Sequence, residues 1–91
     1  MKAREYAQAA FDYALNEADK SGIEFYVIEL SRMSTMDNSS HFYELSIQRL
    51  SKDKMFYVYF DDKYPEESKK NFQMVIDFVN KLIKHILHGN K

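Results

Sequence analysis

Four short stretches of this chain carry the residue types that do chemistry. Ser39, Ser40 and His41 set hydroxyls beside an imidazole, the pieces of a nucleophile and its base. His85 and His88 stand three apart, a spacing at which two imidazoles on one helix face can share a metal ion. Asp61, Asp62, Glu66 and Glu67 crowd carboxylates of the kind that hold Mg²⁺ or divide acid and base work. Lys52, Lys54, Lys63, Lys69 and Lys70 are ammonium groups of the kind that pair with phosphates.

Each set also has a plainer origin. Adjacency in sequence is not triad geometry, and no strained nucleophile turn surrounds Ser39 and Ser40. Sequence places no third ligand near the two histidines, and positive charge suits the end of a helix. Acids favour turns and first helical turns for local reasons. Gly22 and Gly89 are the only glycines, so no Gly-rich phosphate loop exists, and cysteine is absent. No catalytic residue, cofactor or metal is assigned, and a non-enzymatic protein is expected.

The elements that would position these residues can be read from periodicity. Over 3–20, Ala3, Ala7, Ala10, Ala14 and Ala18 make one stripe of a helix, with Glu5, Gln8, Asp12, Asn16 and Asp19 opposite. Gly22 suits the stop. Residues 23–31 read as a strand with apolar residues on both faces: Ile23, Phe25 and Val27 on one, Tyr26, Ile28 and Leu30 on the other. Residues 32–40 are polar and read as a loop. Over 41–50 the pattern alternates, Tyr43, Leu45 and Ile47 against Glu44, Ser46 and Gln48. After the polar connection 51–54, residues 55–61 set Phe56, Val58 and Phe60 against Met55, Tyr57 and Tyr59. Pro65 opens a second helix that runs to about His88, its apolar face built on Phe72, Val75, Val79 and Ile83 and widened by Met74 and Phe78.

The expected fold is therefore α+β. It is a two-layer sandwich in the order α-β-β-β-α, a three-stranded antiparallel sheet with two helices on one face. The chain has 91 residues, enough for one domain, residues 1–91, and one modest core. Its 13 basic and 14 acidic side chains leave a net charge of −1, so no global field draws it to nucleic acid or an anionic membrane. No apolar run is long enough to span a bilayer, and no apolar signal core opens the chain. The expected location is the cytoplasm.

The same element order is that of the double-stranded-RNA-binding domain. The resemblance is one of order alone. It implies a secondary reading in which Lys52, Lys54, Lys69 and Lys70 meet phosphates, although Glu66 and Glu67 precede the lysine pair. The primary reading starts from aromatic surplus, seven Phe and seven Tyr. If Phe56, Val58 and Phe60 meet the helices, Tyr57 and Tyr59 point away, on a second face too apolar for idle surface. Tyr26 or its alternates on strand one join that face, and Met33 and Met36 lie beside it. The expected function is an accessory, regulatory or inhibitory protein that docks this face on a larger protein or on a second copy of itself. The pattern of strand one leaves open which of its sides is inward.

Overall fold

A helix can approach a sheet closely only where its side chains are small, and the alanine stripe of this chain meets that condition. The computed structural model describes residues 2–22, 26–34, 41–49 and 55–88, apart from the side chains of Tyr26, Arg49, Met55 and residues 86–88. Helix α1 spans Ala3–Ser21, with Ala3, Ala7, Ala10 and Ala14 buried against the sheet. The Lys2 N–H donates to Glu5 Oε1 at 2.9 Å, one half of a capping box. Gly22, at φ 68°, takes the left-handed conformation that ends the helix.

Strands β1 (Tyr26–Ser34), β2 (His41–Arg49) and β3 (Met55–Asp61) form one antiparallel sheet in that order. The register sets cross-strand rows. Leu30, Leu45 and Val58 form one row; Ile28, Ile47 and Phe56 form the next. Both rows face the helices, and Leu45, Ile47, Val58 and Phe60 are buried there. Helix α2 (Pro65–His88) buries Val75 and Val79 in the same core and stacks Phe78 on Phe56, ring centroids 4.1 Å apart. The α-β-β-β-α order, the antiparallel sheet and both helices on one face are as the sequence predicts.

The two helices are tied at matching depths. Tyr6 packs on Phe72 and the Tyr13 hydroxyl donates to Asn80 Oδ1. Helix α1 lies over all three strands, whereas α2 lies over β3 and against α1. Among the described residues, that placement leaves the far flank of α2 without a neighbour. Met74, expected to widen the apolar face, is accordingly exposed.

Strand β1 differs from its expected bounds. Residues 32–34, expected in a loop, extend the strand because their backbone groups find partners in 41–43. Ser34 Oγ and His41 Nδ1, 2.9 Å apart, close that end. Residues 23–25 and the loop over 35–40 lie outside the described residues. The register also settles which side of β1 is inward. Tyr26 pairs with Arg49 in step with Ile28 and Leu30, so its place in the alternation is on the helix side.

Candidate functional site

The outer face of the sheet is built by the alternate positions of the same strands. Its rows are Glu29, Ser46 and Tyr57; Ser31, Glu44 and Tyr59; and Met33, Phe42 and Asp61. Neither helix lies on it, so side chains that strand propensity favours stand in solvent. Tyr57 is 52% exposed, Tyr59 43% and Met33 41%. The rings pack on one another edge to face, Tyr57 on Tyr59 at 5.7 Å and Phe42 on Tyr59 at 6.0 Å. They form a continuous aromatic row along the sheet. Ser46 lies between Glu29 and Tyr57 and is buried among the larger side chains.

The row ends in a cavity of about 460 Å³ at the edge of the sheet. Met33, Phe42 and Tyr59 form its sheet wall; Tyr64, Glu67 and Asn71 form its helix wall; Asp61 joins the two. Local hydrogen bonds hold that junction in place. The Ser68 hydroxyl, on α2, accepts from the Asp61 N–H at 3.0 Å and donates to the Asp61 carbonyl at 3.1 Å. Asn71 Nδ2 donates to the Tyr59 carbonyl at 2.7 Å. These are groups on the outer edge of β3, which a sheet edge otherwise leaves unpaired. Helix α2 thus closes that edge with two side chains and fixes the cavity wall with them.

Charge on this face has one sign. Glu29, Glu44 and Asp61 occupy outer positions, Glu67 overhangs, and no Lys or Arg does so among the described side chains. Glu44 lies directly across from Tyr59. The Glu44 carboxylate beside it holds the Tyr59 hydroxyl's pKa above its usual value near 10, with desolvation adding in the same direction.

Of the residues the sequence nominates for interaction, the structure brings Met33, Tyr57 and Tyr59 onto one face. Tyr26 leaves that face, since β1 presents Val27, Glu29, Ser31 and Met33 there instead. Met36 lies outside the described residues. Phe42, Tyr64, Glu67 and Asn71 were not nominated. Phe42 was legible, since it shares the parity of Glu44; Tyr64 sits in a turn and gives no periodic signal.

Among the other candidate groups, two carboxylates hold backbone partners. Asp62 Oδ1 accepts from the Ala3 N–H at 2.7 Å, so a carboxylate 59 residues away caps the start of α1. Asp61 Oδ1 accepts from the Lys63 N–H at 2.9 Å, shaping the turn into α2. Among the described residues no three His, Cys, Asp or Glu side chains are grouped as a metal site. Ser39 and Ser40 lie outside the described residues, and His41 and His85 are exposed. Lys69 and Lys70 are exposed beside Glu66 and Gln73, near Tyr6 and Phe72. Lys52 and Lys54 lie outside the described residues. No helix among the described residues is long and apolar enough to cross a membrane. No family model, curated protein or solved structure matches this chain.

Proposed function

We propose that this domain is a non-enzymatic protein-interaction module, an accessory or regulatory protein that binds a larger protein through the outer face of its sheet. The observation that carries this reading is the exposed aromatic row of Tyr57, Tyr59 and Phe42 on a face that neither helix covers. Tyrosines supply large, rigid contact area with a polar tip, which suits them to a surface wet when free and dry when bound. A different protein fits better than a second copy. Two such faces pressed together would set Glu29, Glu44 and Asp61 against their own kind.

The nucleic-acid reading has less behind it. Lys69 and Lys70 follow Glu66 and Glu67 at helical spacings of three and four, which offsets their charge on one helix face.

The test is site-specific photo-crosslinking in the native cells, with benzoylphenylalanine at position 57 or, as a control, at Asn16 on the exposed side of α1. A discrete, nuclease-resistant protein adduct from position 57 alone, lost when Tyr59 is also Ala, is the expected result. No adduct from position 57, or equal adducts from both, refutes the reading. An adduct removed by nuclease transfers the case to nucleic acid.

A further inference from the structure

Resting on the outer-face reading, we infer that the cavity at the end of the aromatic row is the subsite for a cationic side chain, preferably arginine, carried by a basic segment of the partner protein. The cavity joins two features that each favour a cation. Three aromatic side chains line it, Phe42, Tyr59 and Tyr64, and the faces of such rings attract a guanidinium or ammonium group. Two carboxylates, Asp61 and Glu67, reach it from the strand end and the first turn of α2, with no base among its described lining residues. Planar guanidinium suits this mixture best, since it can stack on a ring while its N–H fork meets carboxylate. The Asn71 side chain is tied to the Tyr59 carbonyl, which holds the wall between the rings and the acids.

The shape favours a side chain on a polypeptide over a free small cation. At about 460 Å³ the cavity has the size of a ligand site, but it opens onto the sheet face instead of closing over its contents. The residues that flank a bound arginine would continue along Tyr59 and Tyr57. Charge complementarity points the same way along that route, because Glu44 and Glu29 line it and basic side chains are absent from its described positions. Acidic or neutral apolar partners would leave these carboxylates desolvated without a counter-charge.

The test titrates isotope-labelled full-length protein with three short Gly/Ser peptides identical except at two positions, which carry arginine, lysine or the neutral isostere citrulline. The arginine peptide is expected to shift the resonances of Met33, Phe42, Tyr64 and Asn71. Citrulline is expected to bind about tenfold more weakly, the scale of one cation–aromatic contact with its ion pair. Binding of the arginine peptide should weaken as salt rises, since these groups are partly exposed. Glu67→Lys should abolish it and Glu67→Gln should weaken it, both with an unchanged circular dichroism spectrum; Asn16→Ala, on the exposed side of α1, should leave the shifts at Tyr64 and Asn71 unchanged. Equal binding of citrulline and arginine overturns the cation subsite, as does unchanged binding in Glu67→Lys. Cavity shifts that follow protein concentration without any peptide assign the cavity to self-association and also overturn it. If crosslinking from position 57 persists in Glu67→Lys, the cation subsite falls while the outer-face reading stands.

Discussion

Replacing Ser68 with alanine tests how the edge of β3 is closed. Ser68 is 2% exposed, and its hydroxyl both accepts from the Asp61 N–H and donates to the Asp61 carbonyl. Alanine removes both bonds. The carbonyl keeps a second donor, the Tyr64 N–H at 3.0 Å, so its loss is small. The Asp61 N–H keeps none on that side, and a part-buried donor left unpaired costs about 1–3 kcal/mol. Alanine is the better helix former by about 0.5 kcal/mol, which offsets part of that. The net expectation is a loss of about 1–2 kcal/mol, a fall in melting temperature of about 4–16 °C for a domain this small. The assay is urea unfolding by circular dichroism, with hydrogen exchange at the Asp61 amide as the local reading. Lys69→Ala, one residue on and exposed, should change stability by less than about 0.5 kcal/mol. Unchanged stability in Ser68→Ala together with unchanged protection of the Asp61 amide would refute the reasoning.

Three further outcomes follow from the packing and the charges. Ala10→Leu should destabilise by about 1–3 kcal/mol or more, read by the same unfolding assay, because Ala10 is fully buried where α1 meets the sheet and extra methylenes have nowhere to go. Gly22→Ala should cost about 1 kcal/mol through its left-handed backbone, with no added clash, since nothing lies within 4 Å of the new Cβ; Gly22→Asn, which tolerates that conformation, should cost less in a thermal melt. Tyr59 favours its neutral hydroxyl in the folded protein, so its contribution to stability is complete below the unfolded pKa near 10 and is lost as pH rises through the higher folded value. Glu44→Gln should lower the Tyr59 pKa toward 10, measured by NMR titration of ring-labelled tyrosine; a Tyr59 pKa that does not move would discard Glu44 as the cause.

How much of this was legible in sequence depends on the range of the interaction. Both helices announced themselves because their contacts repeat every 3.6 residues, and the Ala3-to-Ala14 stripe is the buried stripe. Strand β2 was equally clear, since one face is covered and the other wet, so apolar and polar residues alternate; β3 shows its two sides by alternation but carries aromatic residues on both. Strand β1 hid its inward side because Val27 and Ile28 are both apolar; only pairing of Ile28 with Ile47 and Leu30 with Leu45 decides it. That one decision put Tyr26 at a helix-side position of the register and brought Met33 beside Phe42.

The candidate site divides the same way. Sequence alone determined that Tyr57 and Tyr59 oppose Phe56, Val58 and Phe60, since strand alternation is a property of the backbone. It determined the element order and the absence of cysteine chemistry. Tertiary structure decided the rest. Asp62 reads as one acid of a turn, yet it caps α1, because folding brings the β3–α2 turn against the first residue of that helix. Asp61 and Glu67 read as local acids of a helix start, yet they wall a cavity with Phe42 and Met33, residues of two other strands. Such contacts join segments far apart in the chain, and neither residue type nor local spacing encodes a distance that only the packed sheet creates.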